Sequence, residues 1–206
     1  MEKFNKKAHW ENVYNTKQIT EVSWYQKKPE TSLQLIENCN VPKTSKIIDV
    51  GGGDGFLVDY LLELGYTNIT VLDISETAIE KAKKRLGKKA DLVNWIVADA
   101  ANFNPTETYD IWHDRAAFHF LTNETDIENY KNTVQNNLNT NGFLIIGTFS
   151  EEGPTKCSGI NIKQYNEKSL FNVFSSQFTQ INSLTTNHET PFNTIQNFVF
   201  STFKKS

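Results

Sequence analysis

Cysteine is scarce in this chain. Cys39 and Cys157 are the only two among 206 residues, and they form no C-x-x-C pair. That excludes a disulfide scaffold and a cysteine-rich zinc site, and it fits a reducing cytoplasm. No apolar run approaches the length of a bilayer span, so no membrane partner is expected. The opening residues, MEKFNKKAHWENVY, hold no apolar stretch of the secretory kind. An excess of positive charge is also missing, since 21 Lys and Arg face 24 Asp and Glu for a net charge of −3. A strongly basic nucleic-acid groove is therefore not expected. Arginine is scarcer still, because Arg85 and Arg115 are the only two. Each should do something that the point charge of lysine cannot. What is present is apolar mass: 38 % hydrophobic residues, 12 % aromatic, with 14 Phe, enough for a packed core.

No fixed-period repeat, low-complexity tract or long linker divides the chain. A polar segment runs to about residue 30 and carries the aromatic pairs His9-Trp10 and Trp24-Tyr25. A short amphipathic helix follows Pro29 and ends near Cys39. From Ser45 strands and helices alternate. Strands are expected at 46–50, 68–72, 92–97, 109–112 and 143–149, with helices at 56–64, from the Ser75 cap to Gly87, and at 126–138. A helix over 167–174 and strands near 178–184 and 198–203 close the chain. This alternation predicts an α/β fold: a Rossmann-like, mostly parallel seven-stranded sheet with helices on both faces and an antiparallel C-terminal hairpin.

The densest signal is Asp49-Val50-Gly51-Gly52-Gly53-Asp54-Gly55, between a predicted strand and a predicted helix. Glycines there let the backbone turn tightly and approach a ligand closely. The loop is no Walker motif, since no Gly-Lys-Ser/Thr follows. A dinucleotide site needs G-x-G-x-x-G, whereas Gly51, Gly53 and Gly55 are spaced evenly by two. Asp73 ends the second strand, where a ribose diol would be gripped. Asp99 follows the third strand, at the place for an adenine edge. Three acids in register with consecutive strand ends are hard to obtain by chance.

In these residues the chain resembles the class I S-adenosylmethionine-dependent methyltransferases: D-x-G-x-G-x-G at 49–55, then Asp73 and Asp99. The segments His-Trp…Glu-Val-Ser-Trp-Tyr-Gln and His-Asp-Arg-Ala-Ala-Phe-His-Phe-Leu resemble a group of small bacterial methyltransferases within that superfamily. The resemblance implies S-adenosyl-L-methionine as cofactor, with S-adenosyl-L-homocysteine as product. It places Gly51, Gly53 and Gly55 beside the methionine part of the cofactor, with Asp49 nearby. It also places Asp73 and Ile74 at the ribose, Asp99 and Ala100 at the adenine, and His113 near the cofactor. Trp10, Trp24 and Tyr25 become candidates for a lid, or for a staple that packs the N-terminal segment. A single domain over 1–206 is expected: lid at 1–30, cofactor-binding core at 45–149, acceptor-side part at 150–206. A sulfonium cation favours an acidic and aromatic bay, through carboxylates and cation–π attraction. With no phosphate to neutralise, no arginine is expected at the glycine loop.

Ligands of open parallel sheets sit beyond the carboxyl ends of the strands. If the fourth strand ends at Trp112, His113, Arg115 and His119 emerge there as candidate catalytic residues. Two readings of Arg115 stand open: an ion pair with Asp114, or a fork that binds an anionic group or orders the N-terminal segment. His113 and His119 have ordinary pKa values suited to a base, which an already deprotonated acceptor would not need. Cys157 is read as a buried inert thiol, and His188 is placed in the last hairpin's connection. No metal site is expected. A small-molecule acceptor is favoured, with an anionic thiol, chalcogenide or carboxylate preferred, and the chain is expected to be a monomer or homodimer. A protein methyltransferase and a non-catalytic cofactor-binding module are the alternatives.

Overall fold

The computed structural model describes residues 4–206. The first three residues of the expected lid lie outside the described residues. The polar N-terminal segment contains a helix that the sequence pattern did not announce, α1 (Lys6–Thr16), started where the Asn5 side chain accepts the Ala8 amide. Next comes α2 (Glu30–Asn38), entered through Pro29, which buries Leu33, Leu35 and Ile36. Alternation then follows: β1 (Lys46–Val50), α3 (Leu57–Glu63), β2 (Asn68–Asp73), α4 (Glu76–Leu86), β3 (Val93–Val97), β4 (Tyr109–Arg115), α5 (Glu124–Asn137) and β5 (Leu138–Phe149). A two-rung hairpin, β6 (Lys156–Cys157) and β7 (Ile160–Asn161), precedes α6 (Glu167–Phe174). The long strands β8 (Phe178–Glu189) and β9 (Ile195–Lys205) finish the fold.

Seven strands form one sheet in the order β3-β2-β1-β4-β5-β9-β8. The first five are parallel, and β9 joins β5 antiparallel with β8 outside it. The expected architecture is present. Strand side chains alternate between two cores. Ile48, Val50, Leu72, Trp112 and Leu144 meet Tyr130 and Val134 of α5 and Leu170 and Phe174 of α6. Ile47, Ile69, Val71, Ile111 and Ile145 meet Leu33 and Ile36 of α2 and Val58 and Leu61 of α3. Each fully buried aliphatic side chain contributes roughly 1.5–3 kcal/mol. Burial on both faces explains why the strands read as apolar runs rather than alternating ones. Among the described residues no helix is long and apolar enough to cross a membrane.

Two strand boundaries correct the sequence reading. β4 does not stop at Trp112 but runs to Arg115, held by β5 on one side and, as far as Asp114, by β1 on the other. His113, Asp114 and Arg115 therefore alternate across the sheet instead of emerging together. The C-terminal hairpin is longer than expected, and His188 lies within β8, opposite Gln196, rather than in the connection.

Candidate functional site

The sheet order reverses at β1, with β2 on one side and β4 on the other, and a cavity opens beyond the carboxyl ends of these strands. Its floor is the glycine turn. The amides of Gly51 and Gly52 both donate to the Leu72 carbonyl, at 2.7 and 3.2 Å, which ties the turn to the end of β2. Gly51 and Gly53 have φ of 70° and 55°, a region that L side chains enter at a cost. Neighbouring protein atoms also demand the absence of a side chain. A Cβ on Gly53 would come within 2.4 Å of the Tyr14 hydroxyl, and one on Gly51 within 2.5 Å of the Ala117 Cβ.

The expectation that no arginine stands at this loop is overturned. Arg85, at the end of α4, donates to the carbonyls of Asp54 and Gly55 and pairs through Nε and Nη2 with both carboxylate oxygens of Asp59. Its guanidinium also lies over the Phe56 ring, 4.4 Å from the centroid. One planar fork fixes three elements at once, and lysine could not.

Carboxylates line the cavity wall. Asp49 is the penultimate residue of β1, Asp73 ends β2, and Asp99 follows β3, with Ile74 and Ala100 beside the last two. The Asp73 Oδ1 accepts the Ser75 amide at 2.8 Å, and burial pushes this carboxyl up to about 7. The Asp99 Oδ1 accepts the Ala101 amide at 3.0 Å. Asp54, not singled out in the sequence, also faces the cavity with a buried Oδ1 that has no hydrogen-bond partner among the described residues, and burial raises its pKa.

The end of β4 departs most from expectation. His113 is buried, and neither ring nitrogen is free: Nδ1 meets Asp49 Oδ1 at 2.7 Å and Nε2 meets Ser32 Oγ at 2.9 Å. The cross-strand register of Asp49 against His113 puts them together. Asp114 points to the opposite face and does not pair with Arg115. It accepts the Ala117 and Phe118 amides, both at 3.0 Å, and the Tyr130 hydroxyl at 2.7 Å, so it shapes the loop after β4. Arg115 lines the cavity. Its Nη1 donates to the Trp24 carbonyl at 3.3 Å, its guanidinium lies 4.6 Å from the centroid of the Phe198 ring, and Nη2 is buried with no partner among the described residues. Burial pulls its pKa down to about 10. His119 does not face an acceptor. It is fully buried between Phe120 and Phe149, its Nδ1 accepts the Phe149 amide, and burial with the nearby Arg115 charge drives its pKa down to about 3. Cys157 lines the cavity as a buried thiol that burial pushes up to about 11.

The roof comes from the N-terminal segment. Trp10 lies edge-on to Trp24 and Phe120, at 5.7 and 5.2 Å between centroids, while Tyr14 packs beside both tryptophans. Tyr25 stands edge-on to Phe56. The segment is attached at separate places: His188 Nε2 to the Ser23 carbonyl at 2.7 Å, Arg115 to Trp24, and the Tyr60 hydroxyl to the Lys27 carbonyl at 3.3 Å. Sequence reasoning missed Tyr14 and Ser32. Tyr14 lies one helical turn from Trp10, a signal present in the spacing once α1 is recognised.

Residues 47–142 match the model of a family described as a methyltransferase domain. The chain is 31 % identical over 111 residues to malonyl-[acyl-carrier protein] O-methyltransferase 1 of Ilyobacter polytropus, covering 53 % of this chain and 40 % of that protein. The chain thus spans less than half the length of that relative. With EEF1A lysine methyltransferase 2 of Danio rerio it shares 24 % identity over 200 residues, covering 89 % of this chain and 79 % of the other. Among solved structures, Burkholderia thailandensis 1,6-didemethyltoxoflavin-N1-methyltransferase, crystallised with its namesake substrate and S-adenosylhomocysteine, superposes with a TM-score of 0.72 at 16 % identity. It covers 97 % of this chain and 84 % of the other.

Proposed function

We propose that this chain, whose residues 47–142 match a methyltransferase domain, is a class I S-adenosylmethionine-dependent enzyme that methylates a small molecule carrying an anionic group. The observation that carries the reading is the cavity itself. Carboxylates from the ends of three adjacent parallel strands stand over a glycine turn, under an aromatic roof. The buried, unpartnered Asp54 Oδ1 and the neighbouring acids suit a cationic, hydrogen-bonding ligand. In this reading Asp73 takes the ribose hydroxyls and Asp99 the adenine side, with Trp10, Trp24 and Tyr25 closing over them. When bound, the cofactor supplies an electrophilic methyl group on a sulfonium, and the protein's part is to hold the acceptor in line with it.

The anionic preference rests on two features. Arg115 brings a buried positive charge to the cavity, and among the described residues no carboxylate pairs with it. An acceptor carboxylate, thiolate or chalcogenide would supply the missing partner. The two histidines offer little as bases, His113 because both nitrogens are engaged and His119 because its pKa is so low. An acceptor that arrives deprotonated needs none.

A second reading, methylation of a protein side chain, is favoured by the near-full-length match to the zebrafish lysine methyltransferase. Incubation with methyl-labelled cofactor and fractionated lysate separates the two. Label in the small-molecule fraction is expected. Label confined to protein would replace the first reading by the second, and cofactor binding without any transfer would reduce the chain to a binding module.

A further inference from the structure

The lid helix α1 carries an acidic side chain that the reaction chemistry does not use. Glu11 reaches across to the start of α4. Its Oε1 accepts the Glu76 amide at 2.8 Å, and its Oε2 accepts the Thr77 amide at 3.1 Å and the Ser75 hydroxyl at 2.9 Å. Those amides belong to the first turn of α4, which has no helical partner for them. A carboxylate there also meets the positive end of the helix dipole. Ser75 already serves as the N-cap, accepting the Ala78 amide, and its own amide donates to Asp73. A chain of contacts therefore runs from the lid through Glu11 and Ser75 to the acid at the end of β2. One turn further along the same helix, the Tyr14 hydroxyl rests where a Cβ of Gly53 would stand. Two side chains of one lid helix thus grip the two loops that form the cofactor half of the cavity.

We infer that Glu11 is a positioning residue for cofactor binding: it latches α1 onto the β2–α4 turn, so that ordering of the Asp73 loop and closure of the lid are one event. This rests on the reading of the cavity as an S-adenosylmethionine site. Glu11 acts through the backbone of residues 75–77 and need not touch the cofactor. A docking contact that only held α1 in place would add to thermal stability and leave cofactor affinity alone. A latch ties cofactor affinity to the contact between α1 and the β2–α4 turn.

The test compares the full chain with Glu11→Ala and Glu11→Gln, using S-adenosylhomocysteine as probe. Calorimetry gives the affinity, trypsin cleavage after Lys17 reports the lid, and thermal melting reports the core. For the wild type, bound S-adenosylhomocysteine should slow cleavage after Lys17. For Glu11→Ala the affinity should fall at least about tenfold, equal to 1.4 kcal/mol, and the slowing should disappear while the melting temperature changes little. Glu11→Gln keeps the size but loses the charge and one acceptor, and should fall between. It decides the case if Glu11→Ala does not fold. Affinity within about twofold of wild type in the folded variants would overturn the latch and leave the cofactor reading intact. A wild type that binds no S-adenosylhomocysteine would overturn both.

Discussion

Burial pushes the Asp73 carboxyl up to about 7, against hydrogen bonds from the Ser75 and Gly53 amides that favour its charged form. If this carboxylate takes the ribose diol, binding prefers it ionised. S-adenosylhomocysteine affinity should then rise as pH goes from about 6 to about 8, and Asp73→Asn should bind more weakly with a flatter pH dependence. Calorimetry across that range checks both. A wild-type affinity that is flat or falls with pH would place the ribose elsewhere. Arg115 makes a second case. The structure removes the ion pair with Asp114 and leaves a fork whose Nη2 has no protein partner. Arg115→Lys should lower methyl transfer at least about tenfold, roughly 1.4 kcal/mol in the barrier, while S-adenosylhomocysteine affinity and thermal stability change little. Full activity in this variant would remove the main support for an anionic acceptor.

At the scale of elements, the strand–helix alternation was plain in the sequence because buried parallel strands leave short apolar runs, and glycines close β1, α3 and α4. The three acids were plain because each sits at a strand end. α1 was not, since only Val13 and Tyr14 are buried along its eleven residues and the rest reads as polar. The alternation of His113, Asp114 and Arg115 was lost with the boundary of β4, because a one-residue step along a strand sends a side chain to the other face. Arg85 was invisible as a loop partner because it lies 31 and 30 residues from the two carbonyls it binds, and only the return of α4 onto α3 brings them together. Its removal should be felt at the cofactor. Arg85→Ala should weaken S-adenosylhomocysteine binding and stability, the latter by about 1.5–3 kcal/mol, the scale for hydrogen bonds to a charged group. Arg85→Lys should recover only part, since it loses the fork. Chemical denaturation beside calorimetry measures the two effects, and a silent Arg85→Ala would mean that the loop holds its shape unaided.

For the whole molecule, the buried acids set how stability responds to pH. Burial lifts Asp73 to about 7 and Asp114 to about 6, both above the ordinary carboxyl value of an unfolded chain. Groups raised in this way bind protons more tightly when folded. Their contribution is complete below the unfolded value and is lost as pH climbs through the folded one. His119 and His188, held below the ordinary imidazole value by burial, act in the opposite direction over the same window, so the share of the acid is read from Asp73→Asn, whose melting temperature relative to wild type should rise from pH 5.5 to pH 8. Glu11 runs the other way. Burial works against it, yet the hydrogen bonds from Thr77, Glu76 and Ser75 hold its pKa below the ordinary value. Its contribution is lost only as the pH falls through that lower range, so the lid should loosen in acid while the core holds. Differential scanning calorimetry with trypsin cleavage of the lid, at matched pH, resolves the two. A difference between Asp73→Asn and wild type that stays constant from pH 5.5 to pH 8 would contradict the assigned burial of Asp73.

The contact between Gly53 and Tyr14 also has a bearing on how this chain can change under selection. Each glycine of the turn answers to protein atoms, and Gly53 answers to the Tyr14 hydroxyl of the lid. A mutational library scored for activity should treat position 53 and position 14 as a pair rather than as independent sites. Alanine at 53 meets the phenol oxygen as well as a left-handed backbone, so in the parental background it should be purged. With a shorter residue at 14 the steric half of that barrier is gone, leaving a backbone strain of about 1–2 kcal/mol. Routes to new acceptors that begin by trimming the lid would then open substitutions in the glycine turn that were closed before, and the order in which the two changes arise would decide which lineages survive.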